Sequence, residues 1–314
     1  MTDSTASLPS HEIERWGIQV VPLEVVLGGE QRQEGVDLGA DELAAALTAG
    51  VRVTTSQPAP AAFAEAYARA AAGGAREIVS VHLSGDLSGT VRAAQLAALT
   101  SPVPVHVVDS RSVAMGLGFA VVSAARAARG LPEASPVPPG SPGQPGQGDP
   151  MHRRLRDLVG LGPRVTVPPV DGVQLASRAR EIASQASVWF LVDSLDHLRR
   201  GGRLGTAAAA LGTVLGLRPI LTLREGRIEV AEKVRTRRAA RDRLEALVVA
   251  EVRRRGRARV AVHHLGQPDV AAEVARQIEA WSGDVVGEIE VCEVSAVLGA
   301  HVGPGLLAVV VADT

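Results

Sequence analysis

Hydroxyls and glycines gather at the ends of apolar runs in this chain of 314 residues. "VTTSQPAP" (53–60) sets Thr54, Thr55 and Ser56 just before a proline-started helical run. "SGDLSGT" (84–90) carries Ser84, Ser88 and Thr90 around Gly85 and Gly89, and the helical run "VRAAQLAA" follows at once. "VVDSRSVAMGLG" (107–118) is a third such stretch. Free amides and hydroxyls at a helix N-terminus form a neutral trap for an anion. Ser and Thr are also the ordinary N-caps, so one such segment alone reads as capping. Three in one region shift the balance toward a shared site. "GAHVGPG" (299–305) adds His301 in a turn fixed by glycines and a proline. An imidazole there can donate to an anion or sit as an ordinary turn histidine. In "LRRGGRLG" (198–205) the pair Gly201–Gly202 precedes Arg203. Bare glycines let backbone approach a ligand closely, and they also end helices.

Other chemistries fit the residues less well. "GDLSG" has the wrong spacing for a nucleophile elbow. Lys233, the only lysine, lies in "AEKVRT" and not in a phosphate loop. "GLGFAV" lacks the third glycine of a dinucleotide fingerprint. His263 and His264 are adjacent on an apolar run, so they point to opposite faces of a strand and make poor joint metal ligands. No acidic cluster suited to magnesium is evident, so no metal, cofactor or catalytic residue is expected.

These segments need a scaffold. Strand-like runs occupy 18–27, 77–83, 103–110, 187–194, 218–223, 227–232, 258–264, 288–294 and 306–312. Helical runs lie between most of them. One opens at "PAPAAF" and ends in glycines; another spans 236–256 with Ala240, Leu244, Leu247 and Val248 on one stripe. The alternation predicts an α/β protein with mainly parallel strands. "RPILTLREGRIEVAE" is the exception and reads as a hairpin. Residues 131–150, rich in Pro, Gly and Ser, cannot pack a core, and the poor pattern persists to about 174. The expected division is an α/β domain over 1–130, a flexible insertion over 131–174, and a second α/β domain over 175–314.

Composition narrows the partners. A net charge of −1 and 2% aromatic residues argue against nucleic acid. The single cysteine, Cys292, excludes an internal disulfide and reads as a buried structural thiol. No apolar run reaches membrane-spanning length and no signal peptide is evident, so a cytoplasmic location is expected.

Taken in order, "TDSTASLP", "VVPLEV", "TSQPAP", "LSGDLSGT", "VVDSRSVAMGLG", "LDHLRRGGRLG", "LRPILTLREGRIEVAEKVRTRRAA" and "HVGPG" closely resemble the DegV family of bacterial fatty-acid-binding proteins. The resemblance covers nearly the whole chain outside 131–174. It implies two α/β domains with one long-chain fatty acid held between them. It implies that Thr55, Ser88 and His301 hold the carboxylate, while Ser56, Gly89 and Thr90 shape the loop. Arg203 and Arg235 would orient the head group or meet a partner, a separate ATP-dependent fatty acid kinase to which some family members present the lipid. The chain departs from the pattern at Gly85 and Ala114, where the family usually has serine, and at Val302, where it usually has threonine. The resemblance also implies an apolar strand before "TDST", whereas this chain begins at Met1. Two other readings stay open: an enzyme acting on a small anion through Ser88 and His301, and a lipid-sensing regulator.

Overall fold

The computed structural model describes residues 1–56, 58–131, 171–204 and 217–314. The expected insertion thus lies almost wholly outside the described residues. The N-terminal half holds β1 (Thr2–Asp3), α1 (Ser10–Trp16), β2 (Val20–Val21), β3 (Glu24–Leu27) and β4 (Glu30–Gln33). It continues through α2 (Ala40–Thr48), β5 (Val53–Ser56), α3 (Pro60–Ala72), β6 (Ile78–His82), α4 (Thr90–Ala98), β7 (Val105–Asp109) and α5 (Met115–Ala128). The C-terminal half holds α6 (Gly172–Gln185), β8 (Ser187–Leu191), α7 (Asp196–Arg200), β9 (Arg218–Arg224), β10 (Arg227–Val234) and α8 (Arg237–Arg255). It ends with β11 (Ala258–His264), α9 (Pro268–Ser282), β12 (Val286–Glu293), α10 (Ala296–Val302) and β13 (Leu307–Asp313).

The architecture is α/β. Strands β2, β1, β6 and β7 form a four-stranded parallel sheet in that order, and β4, β3 and β5 form a small antiparallel one. The second large sheet has the order β10-β9-β8-β13-β11-β12 and is mixed: only β11 and β12 run parallel. The reason is local. The "REGR" turn folds β10 back on β9, and β13 returns between β8 and β11 against both. The first strand is present but short, two residues between β2 and β6. The Met1 amino group is buried, donates to the Val79 carbonyl at 2.9 Å, and is pushed down to about 6 by burial.

Side-chain alternation on the mixed sheet makes two cores. Ala308, Val310 and Ala312 of β13 face a cluster shared with the N-terminal half; Leu307, Val309 and Val311 pack beneath α8 and α9. The shared cluster runs from Leu23, Leu83 and Leu117 to Phe190, Leu198 and Leu221, so the two halves close over a common apolar layer. α6 opens at Gly172 and packs chiefly against α5, β6 and β7, all elements of the N-terminal half. Thr236 caps α8 by accepting from the Ala239 amide, and Gly256 ends it at φ +75°.

A buried polar chain anchors the end of β6. Asp3, fully buried, accepts from the Thr5 amide at 3.0 Å, from the Leu83 amide at 3.2 Å, and from the Thr5 hydroxyl. His82 Nδ1 lies 2.9 Å from the same carboxylate. With Nδ1 donating there, Ser80 donates to Nε2 at 2.7 Å and Tyr67 donates to Ser80 at 3.0 Å.

Ala114, just before α5, sits at φ 51° and ψ −144° with its amide on the Thr5 carbonyl at 2.9 Å. A β-branched side chain is strongly disfavoured there. Ala114→Val is therefore expected to lower the thermal unfolding midpoint clearly in calorimetry, whereas Ala114→Gly, free at positive φ, is expected to be tolerated.

Candidate functional site

The apolar layer between the halves opens into a slot with one polar end. The cavity is about 100 Å³, small beside the roughly 300–1,000 Å³ of drug-sized pockets. Its walls are mainly aliphatic: Leu23, Leu83, Val188, Ile228 and Val310 are among them, with the Phe190 ring beside Val188. Leu306, Ala308 and Val310 mark one wall along β13, leading away from the turn that follows α10. Alternate residues on one strand face stand about 6.6 Å apart, so this wall runs about 13 Å into the molecule.

The polar end draws on four segments. Thr55 lies on β5, which pairs with β3. Ser88 lies in the loop between β6 and α4. His301 lies near the end of α10, and Arg203 follows α7. All four line the slot, with Ser56 beside them. Thr55 Oγ1 and His301 Nε2 are 2.8 Å apart although 246 residues separate them in the chain. Ser88 Oγ lies 2.8 Å from Thr90 Oγ1 and accepts from the Thr90 amide at 3.3 Å. Ser56 donates to Glu24 at 2.8 Å. Gly201 makes room for the imidazole: a Cβ there would stand 2.5 Å from His301 Nδ1.

Charge at this end resides on arginine. Burial, and then the neighbouring Arg203, push His301 down to about 4, so the imidazole is neutral at pH 7. The Arg203 guanidinium donates to the Leu87 carbonyl at 3.0 Å and to the Gly201 carbonyl. These bonds tie the Ser88 loop to the turn after α7 and leave a cation beside a neutral histidine. Such an arrangement can receive a carboxylate through hydroxyl, imidazole and guanidinium donors together. Ser88 bonds to Thr90 and His301 to Thr55, so this serine and histidine are not paired with each other as nucleophile and base would be.

The other residues singled out in the sequence fall elsewhere. Thr90 is the first residue of α4 and is fully buried behind Ser88; Gly89 caps that helix, and neither lines the slot. Arg235 is exposed after β10 and away from the slot lining. Gly85 is explained by its neighbour: an added Cβ would lie 2.8 Å from Asp109 Oδ2, whose partner oxygen accepts from the Gly85 amide at 3.1 Å. Ala114 and Val302 both line the slot and add apolar surface there. His263 lines it as well, a residue that the sequence reading set aside as a poor metal ligand. Its Nε2 accepts from the Met115 amide at 3.2 Å, and Cys292 Sγ lies 3.3 Å from its Nδ1. Burial pushes His263 down to about 4 and the half-buried Cys292 thiol up to about 12, which makes both structural. The signal available for His263 was strand parity: it shares a face of β11 with Ala261, which belongs to the shared apolar layer. Among the described residues no helix is long and apolar enough to cross a membrane.

Known proteins share this fold and much of this sequence. A DegV family profile matches residues 1–130 and 173–314. A DegV domain-containing protein of Streptomyces coelicolor is 43% identical over 315 residues, spanning 100% of this chain and 97% of its own. A DegV family protein from Thermus thermophilus, described as fatty acid binding, is similar in structure with a TM-score of 0.78 and 33% identity, over 100% of this chain and 98% of its own. DegV of Bacillus subtilis, described as a fatty acid binding protein, matches with a TM-score of 0.78 and 26% identity over 100% and 98%. The shared fold, and sequence identity running the length of the chain, establish that this protein belongs to the DegV family.

Proposed function

We propose that this protein binds one long-chain fatty acid, non-catalytically, with its carboxylate at Thr55, Ser88, His301 and Arg203 and its acyl chain in the aliphatic slot. The observation that carries the reading is an apolar cavity with neutral donors and, among the described residues, a single arginine at its polar end. Each buried methylene contributes about 0.8 kcal/mol, so the chain supplies most of the affinity and the polar end supplies orientation. The description of two similar DegV proteins as fatty acid binding supports it. Native mass spectrometry of the purified protein, followed by identification of the released ligand, tests it directly. One fatty acid per chain is the expected result; a phosphorylated or soluble metabolite in its place would contradict it.

The finer role is presentation of the lipid to a separate ATP-dependent kinase in the cytoplasm. The position of Arg203 supports a dual part, since it borders both the slot and the turn after α7. Arg203→Ala is expected to weaken fatty acid affinity several-fold, because it removes the cation nearest the carboxylate. Arg235→Ala, exposed and outside the slot lining, is expected to leave affinity unchanged and to lower phosphorylation of the bound lipid by a cognate kinase. Equal affinity losses in the two variants would contradict this division.

A further inference from the structure

Glu34, just after β4, reaches across the seam between the halves. Its carboxyl accepts from the amide of Ala296, the first residue of α10, with the hydroxyls of Ser4 and Ser295 close enough to favour its charged form. The seam is reinforced by the Ser295 amide donating to Ser7 Oγ at 3.1 Å, while on its own side Glu34 is held by its amide donating to the Leu23 carbonyl at 3.0 Å. The second carboxyl oxygen, Oε2, is buried without a hydrogen-bond partner. An unpartnered buried oxygen is tolerable on a neutral acid and costly on an anion.

The surroundings point the same way. Glu34 lines a crevice of about 500 Å³ between the N-terminal segment, α2 and the start of α10. The other charged groups lining it are Asp3 from β1 and Glu293 from β12, with the Cys292 thiol beside them. α1, α2 and α10 present only Ser10, Ile13, Ala40 and Ala296, and no arginine, lysine or histidine is among the lining residues. Among the described residues lining the crevice, Glu34 therefore meets no cation to favour its charged form. Burial, opposed by the Ser4 hydroxyl, the Ala296 amide and the Ser295 hydroxyl, raises it from 4.5 to about 7.

We propose that the Glu34 side chain is a proton-operated latch on this seam: protonated, it holds the start of α10 against the N-terminal half; ionised, it lets the seam open. Val297, Leu298, His301 and Val302 of the same helix line the slot, so opening the seam loosens the wall and the donor that hold the ligand. The consequence for lipid exchange rests on the fatty-acid reading; the latch does not.

The sign follows from linkage. In the open seam Glu34 meets water and titrates in the ordinary range, whereas the closed seam keeps its proton up to about 7. Closure is therefore strongest in acid, weakens as pH rises toward about 7, and changes no further above it. Hydrogen–deuterium exchange of the full-length protein, read on peptides covering 293–303 and corrected for the intrinsic chemical rate, measures the opening. Opening is expected to rise up to tenfold per pH unit between about pH 5 and about pH 7 and then level. Glu34→Gln, which cannot ionise, is expected to remove that slope. A flat wild-type profile, or the same slope in Glu34→Gln, would overturn the latch. Should the variant not fold, a carboxyl-carbon NMR titration of wild-type Glu34 decides: a midpoint near 7 supports the latch and one near 4.5 overturns it. Release of a fluorescent fatty acid is followed separately, and should slow on acidification. Failure of the fatty acid to bind at all would contradict the reading of the slot and leave the exchange result intact.

Discussion

Thr55→Val, Ser88→Ala and His301→Ala are each expected to weaken binding of a long-chain fatty acid at least tenfold while the protein stays folded. The expectation comes from the polar end of the slot. A hydrogen bond to a charged group is worth about 1.5–3 kcal/mol, and about 1.4 kcal/mol is a factor of ten in affinity. Thr55 and His301 are already engaged with each other at 2.8 Å, so losing either disturbs both donors. The effect should be specific to the carboxylate. An apolar analogue with the same tail, such as the alkane, should bind the variants about as well as the wild type, because the tail acts through buried area alone. Isothermal titration or displacement of a fluorescent lipid measures both. His301 is already neutral above about 4, so its own protonation should not alter affinity between pH 6 and pH 8. Equal losses for acid and analogue would mean a collapsed slot, and unchanged acid affinity in all three variants would remove the clamp.

The largest effect on stability is expected at Asp3→Ala. This carboxylate is fully buried and gathers the Thr5 amide, the Thr5 hydroxyl, the Leu83 amide and His82 Nδ1. Its removal leaves buried donors unmatched and breaks the chain through Ser80 to Tyr67. The cost should be about 3–5 kcal/mol, as for breaking other buried polar networks. Denaturant unfolding followed by circular dichroism measures it, with a fall in the midpoint at constant slope. A loss below about 1 kcal/mol would mean that water or a neighbour replaces the carboxylate. Leu83 leads into the loop that carries Ser88, so the variant should also loosen the polar end of the slot.

What the sequence made legible was local. Helix starts and turns depend on near neighbours, so the segments holding Thr55, Ser88 and His301 stood out by hydroxyl, glycine and proline content alone. The hairpin of β9 and β10 was legible for the same reason. Long-range geometry was not legible from the residues themselves; the convergence of Thr55, Ser88 and His301 came only from the family resemblance. Nothing local says that Thr55 meets His301, that Arg203 lies beside that histidine, or that Arg235 does not join them. The slot walls were hidden too. β13 is buried on both faces, with Leu307 and Val309 on one side and Ala308 and Val310 on the other, so apolar alternation gives no clue to the face that meets a ligand. The same double burial concealed the mixed direction of the C-terminal sheet. Glu34 was missed because it follows a short exposed hairpin strand, and only the arrival of α10 from the far end of the chain buries its carboxyl.

The central claim is that a fatty acid lies in the slot with its carboxylate at Thr55, Ser88 and His301. A crystal structure with a fatty acid brominated at its methyl end tests it most directly, because anomalous scattering locates the bromine. The account predicts the bromine deep along β13, near Val188 and Val310, with the carboxylate within hydrogen-bond reach of Thr55, Ser88 and His301. A bromine at the polar end, or a lipid bound in the separate groove beside Trp16 and Leu175, would contradict it.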